Sequence, residues 1–304
     1  MSADPALPDE RSAHLLNAAL VPGDPGLAAW RTWLAATDLD RLGEPARRLL
    51  PLVYTNLSRT ARDEASLAVA RRCQMQAWVA TQRLLNDARP LLAELLRRGI
   101  DFRLFRGGAL AGGAYRDWVS RPMADLDLLV SLPDVPAELA QQAAQARVML
   151  HQHAFAECPG AEADLRTARD DVDVAGLAVP ALAPTEGLFL TCVLGYRANL
   201  RGTYRHAHWV ADAHALLTRR GADIDPARLV ELAHTRDLQG TLALALTYVI
   251  VRHGAPAPGL LDRLAALRPA AVERLEQAAA GLPGRFAARL GLFACRQLRR
   301  LRAG

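Results

Sequence analysis

The sequence predicts an α+β fold: a small mixed sheet in the middle of the chain, flanked by an N-terminal and a C-terminal helical region. Three observations predict it. Apolar residues recur at helical spacing through the first hundred residues; the pattern changes to strand, turn, helix and strand after Gly99; and helical spacing returns from Pro184. The implied units are residues 1–99, 100–180 and 181–304.

In the first unit, His14 to Leu20 reads as one helix and the stretch around Leu27, Trp30, Trp33 and Leu34 as another. Pro22, Gly23, Pro25 and Gly26 separate them. A long helix is expected from about Ala65 to Arg98, kinked or divided at Pro90 and stopped by Gly99. Next, Phe102 to Arg106 reads as a strand entering Gly107-Gly108, and Ala109 to Tyr115 as a short helix. Leu126 to Val130 is apolar enough for a strand buried on both faces. Pro133 to Ala146 reads as a crossover helix, Val148 to Leu150 as a third strand, and Asp171 to Val179 as a small hairpin. Beyond Pro184, Thr185 suggests a capped helix start, and further helices are expected over Trp209–Arg219, Pro226–Thr235, Gln239–Arg252 and towards the end.

Composition excludes more than it selects. No run approaches the roughly 20 apolar residues of a membrane span, and the N-terminus lacks a basic stretch followed by an apolar one, so the expected location is cytoplasmic. The four cysteines (Cys73, Cys158, Cys192, Cys295) are far apart and form no CxxC pair, which argues against a disulfide framework or zinc ribbon. The net charge is +5, yet all 37 basic residues are arginine. Replacement of lysine throughout reflects coding bias in a GC-rich genome, so the basic pI permits a nucleic-acid partner without supporting one.

The informative segment is Arg106-Gly107-Gly108-Ala109-Leu110-Ala111, followed by Arg121-Pro122-Met123-Ala124-Asp125-Leu126-Asp127-Leu128-Leu129-Val130. Period-two spacing puts Asp125 and Asp127 on one face of a strand. Two carboxylates beside a glycine-rich turn suit Mg²⁺ (or Mn²⁺) with a triphosphate, because Mg²⁺ takes one or two carboxylates and completes its shell with water and phosphate oxygens. Gly107 and Gly108 let backbone N–H groups approach phosphates at a helix N-terminus. Arg106 and Arg121 complete the candidate nucleotide-binding set; the alternative for Arg121 is an ion pair that orients the aspartates.

This segment resembles a family of uncharacterised bacterial nucleotidyltransferases within the polymerase-β-like superfamily, whose signature has a Gly-containing turn, a tyrosine, and then Arg-Pro-Met-x-Asp-x-Asp-Leu-Leu-Val. The resemblance extends to Leu49–Leu57, Val179–Glu186 and His208–Asp212. It implies transfer of a nucleoside monophosphate from an NTP to a hydroxyl or phosphate on an acceptor (small molecule, peptide or protein), with Asp125 and Asp127 as catalytic metal ligands. Three departures stand out. Arg106 replaces the family's lysine, Met149 stands where the third strand usually carries an aspartate, and the connection between the second and third strands is short. Asp171 or Asp173 is an alternative third acid, although both belong to the following hairpin. The competing reading is a catalytically degenerate relative that binds a nucleotide or partner protein without turnover.

Other residues carry weaker signals. Tyr115 either stacks on a base or is a core tyrosine with a bonded hydroxyl. His151-x-His153, His206-x-His208 and His214 lack cysteine or carboxylate partners at metal-ligand spacing, although the resemblance places a histidine beside the third acid. Arg285 to Arg302 alternates arginine with apolar residues, a pattern of ordinary amphipathic helices and of those that bind membranes or RNA.

Overall fold

The computed structural model describes Asp4 and residues 6–61, 64–155, 162–202, 206–281, 288, 291–295 and 297. Cys158 and most of the segment Arg285 to Arg302 lie outside the described residues. The N-terminal helices are α1 (Glu10–Leu20), α2 (Asp24–Ala35), α3 (Glu44–Arg47), α4 (Leu50–Leu57) and the long α5 (Ala68–Arg97). The middle of the chain runs β1 (Phe102–Phe105), α6 (Arg106–Gly113), β2 (Leu126–Val130), α7 (Ala137–Gln145), β3 (Val148–His151), α8 (Glu162–Leu165), β4 (Arg169–Val174) and β5 (Leu177–Leu182). The C-terminal helices are α9 (Pro184–Leu200), α10 (His208–Arg220), α11 (Pro226–His234), α12 (Gln239–Thr247), α13 (Leu260–Ala265) and α14 (Ala271–Ala280). A π-helical turn, Tyr248–Arg252, continues α12. The fold is α+β, and no described helix is long and apolar enough to cross a membrane.

The five strands form one mixed sheet in the order β3-β2-β1-β5-β4. β1 pairs antiparallel with β2 and parallel with β5; β2 pairs parallel with β3, and β4 with β5 antiparallel. Strand alternation divides the apolar residues between two cores. Phe102, Leu104, Leu126, Leu128, Val130 and Val148 face a cluster completed by α5 and α7. Phe105 and Leu129 face the other way, into a larger cluster formed by the N-terminal and C-terminal helices together.

Local signals explain most boundaries. Gly99 adopts φ +67, and Ile100 N–H returns to Leu95 O at 3.1 Å, so α5 ends in a Schellman turn. Ala175 and Gly176 both have positive φ, the geometry of a type I′ turn that twists β4 onto β5. Two expectations need correction. α5 is not divided at Pro90, which lies with Asn86 on the solvent side, where water can take the carbonyl that the ring leaves without a donor. Thr185 does not cap α9: Ala183 is the N-cap, and the Thr185 hydroxyl instead accepts from Asp225 N–H at 2.9 Å, tying α9 to α11.

Candidate functional site

The register of β1, β2 and β3 builds the floor of the site. Asp127 lies opposite Phe105 on β1 and opposite Met149 on β3, so these three side chains share a face. Asp127 is mostly buried, and its Oδ1 accepts from Arg106 Nη1 at 3.2 Å and from His151 Nε2 at 2.6 Å. His151 is two residues beyond Met149 on the same face. Asp125 precedes β2, is more exposed, and lines the same cavity as Asp127. Partial burial, reinforced by the neighbouring Asp127 charge, raises the Asp125 carboxyl above its ordinary range. The two acids are therefore close enough to repel.

Arg106 is the first residue of α6 and has φ +53, a left-handed conformation that disfavours a side chain by about 1–2 kcal/mol. That backbone turn sets its guanidinium 4.8 Å from the Phe105 ring and within reach of Asp127. Among the described residues no side chain caps the first turn of α6, which leaves its N–H groups without a side-chain acceptor there. α6 begins at Arg106, earlier than the sequence pattern suggests, which brings Gly107 and Gly108 into its first turn. Their absent side chains serve packing as well as access. A Cβ at Gly108 would stand 2.9 Å from both Leu104 Cδ1 and Leu126 Cδ2, and one at Gly107 would stand 3.1 Å from Arg121 Nη1.

Arg121 does not reach the two site aspartates. Its Nε and Nη2 donate to Asp212 on α10 at 3.0 and 2.9 Å, and Tyr115 Oη donates to Asp212 Oδ1 at 2.8 Å. Burial pushes the Asp212 carboxyl up, but the Arg121 charge and these hydrogen bonds outweigh it and hold it below the ordinary range. Tyr115 is thus a core tyrosine with a bonded hydroxyl, and Arg121 is a wall residue with a fixed partner.

These elements enclose a cavity of about 480 Å³. Asp125, Asp127, Arg106, Gly107 and Arg121 lie along one side, and α9 and α10 form the other. Two contributors escaped the sequence analysis. Arg48, between α3 and α4, lines the cavity, with burial and the Arg121 charge lowering its pKa; its hydrogen bond goes to Pro122 O at 3.4 Å. From α9, Leu190, Thr191 and Leu194 supply a mainly apolar wall. α9 is buried almost all round, so no stripe in its sequence marks the side that faces the cavity.

Among the described residues, no group of three or more His, Cys, Asp or Glu side chains could hold a metal ion. The donor set instead suits an ion that takes one or two carboxylates and fills its shell from water and phosphate oxygens. Residues 45–154 match the family described as uncharacterised nucleotidyltransferase. No curated protein and no solved structure matches the chain significantly. The nucleotidyltransferase match spans Arg48, Arg106, Arg121, both site aspartates and His151; it ends at Ala154, before β5, α9 and Asp212.

Proposed function

We propose that the protein transfers a nucleoside monophosphate from an NTP to a hydroxyl or phosphate on an acceptor, in a reaction dependent on Mg²⁺ or Mn²⁺. The observation that carries this reading is the shared cavity: two neighbouring carboxylates, an uncapped helix N-terminus and several arginines face one space. Family membership of residues 45–154 supports the same class. Asp125 and Asp127 hold the metal, which would neutralise phosphate charge as pyrophosphate leaves. The first-turn amides of α6 at Gly107 and Gly108, with Arg106 and Arg48, take the phosphate oxygens. Arg121 adds positive charge while tied to Asp212. His151 receives the acceptor's proton, because Met149, the register neighbour of Asp127, cannot. The apolar side of α9 is left for the acceptor.

A second reading rests on Met149, half-exposed at the position opposite Asp127: a nucleotide-binding relative without turnover. Pyrophosphate release and calorimetry with mixed NTPs and Mg²⁺ separate the two. The transferase reading expects release that falls about a hundredfold or more in Asp125→Ala and Asp127→Asn. Release unchanged in Asp125→Ala removes it. Saturable, metal-dependent NTP binding with no release under any acceptor condition favours the second.

A further inference from the structure

A second cavity, of about 880 Å³, is lined by Tyr115 and lies between the α1–α2 turn, α4, the end of α6, α10 and the π-helical turn. Its lining contains four arginines and no aspartate or glutamate. Each arginine comes from a different part of the chain: Arg59 from the turn after α4, Arg116 from the loop after α6, Arg219 from α10, and Arg252 from the π-helical turn. Arg252 pairs with Glu10 at 2.6 Å, outside the cavity. Arg59, Arg116 and Arg219 have no ion-pair partner among the described residues, in a chain where many arginines do. Three arginines without an ion-pair partner around one cavity give it a positive potential that favours an anion.

The deeper wall adds a polar group of its own. His253 is 4 % exposed and lines this cavity. Its Nδ1 meets Asn17 Oδ1 at 2.9 Å, while its Nε2 is buried and has no hydrogen-bond partner among the described residues. Burial, helped by His214 and Arg252, pushes its pKa down to about 4, so the ring is neutral at physiological pH. In that neutral ring Nδ1–H donates to Asn17 Oδ1, so Nε2 is an acceptor that calls for a donor and takes no part in holding an anion. The π-helical turn that delivers Arg252 and His253 is a distortion concentrated at functional sites. Around these groups the surface is apolar, from Leu20, Val21, Leu52, Ala215 and Pro256.

We infer that this cavity binds a small organic anion, with an apolar body against α4 and α10 and a phosphate or carboxylate between Arg116, Arg219 and Arg59. Paired guanidinium groups recognise both anions through charge-assisted hydrogen bonds. The volume lies within the range of about 300–1,000 Å³ typical of small-molecule sites. The inference is independent of the nucleotidyltransferase reading, since it uses neither Asp125 nor Asp127.

Calorimetric titration of the full chain with 1-naphthyl phosphate, 1-naphthoate and 1-naphthol, with EDTA present, tests it. The expected result is saturable 1:1 binding of at least one of the two anions, with naphthol at least tenfold weaker. That binding weakens at least tenfold in the double variant Arg116→Gln/Arg219→Gln and is unchanged in Asp127→Asn. Both replaced arginines are exposed and lack hydrogen-bond partners among the described residues, so the double variant should keep its thermal midpoint. Which anion binds tells phosphate from carboxylate ligands. The inference is overturned if naphthol binds as well as the anions, if neither anion saturates, if the double variant binds normally, or if Asp127→Asn abolishes binding and so moves the anion to the other cavity.

Discussion

Asp125 and Asp212 face the same cavity with opposite electrostatics. Burial and Asp127 raise the Asp125 pKa, so the folded state binds its proton more tightly than the unfolded chain does. Stability is therefore lost as pH rises from the ordinary aspartate value of about 3.9 through the raised one. Asp125→Asn should raise the thermal midpoint at pH 7 while reducing turnover, and the gain should fade as pH is lowered below about 4. A gain that persists at low pH would point to packing instead. Asp212 is the reverse case: its depressed pKa contributes stability above the ordinary value, lost as pH falls through the depressed one. Asp212→Ala leaves Arg121 and the Tyr115 hydroxyl without their acceptor and should cost about 3–5 kcal/mol at pH 7, measured by urea unfolding. That Asp125 and Asp127 share a cavity was legible in the sequence because they lie two residues apart in one short motif at the start of β2. Asp212 was not, because its partner Arg121 is 91 residues away and nothing local links them.

At the scale of elements, the strand–turn–helix–strand unit was legible because its period changes abruptly at Gly99. The start of α6 was not. Arg106 enters the helix through a left-handed conformation that no propensity favours, and tertiary contacts with Phe105 and Asp127 hold it there. The glycines show the same limit. Their pattern suggested access for phosphates, whereas the space around Gly108 shows that α6 also needs it to lie close on β1 and β2. Gly108→Ala pushes a methyl against two buried leucines and should destabilise by about 1–3 kcal/mol. Gly107→Ala meets a guanidinium nitrogen and the flexible Met123 side chain, so its stability cost should be smaller. Parallel denaturation of the two variants checks the order; equal costs would mean that the helix–sheet gap can open.

For the whole molecule, the three segments of the chain do not correspond to three separate cores. The larger cluster joins Trp30 and Leu50 from the N-terminal helices, Phe105 and Leu129 from the sheet, and Phe189, Trp209 and Leu242 from the C-terminal helices. Polar contacts reinforce it: Asn199 donates to Ala6 O at 3.0 Å, Tyr196 to Asp4 at 2.7 Å, and Arg252 pairs with Glu10. Sequence periodicity could show that each helix has an apolar face, but not which distant face it meets. This arrangement also explains why the family match stops short of a complete cavity: α9 and α10, which close it, lie beyond Ala154. Since the helical regions bury faces on each other in the larger cluster, unfolding either exposes apolar surface of the other. We therefore expect one cooperative urea transition, with tryptophan fluorescence and far-ultraviolet circular dichroism giving the same midpoint. Trp30, Trp33 and Trp209 report the shared cluster, and the dichroism reports helices throughout. Two separated midpoints would show that the N-terminal helices can leave while the C-terminal ones stay folded, and the cavity would then depend on a docking equilibrium rather than on a single fold.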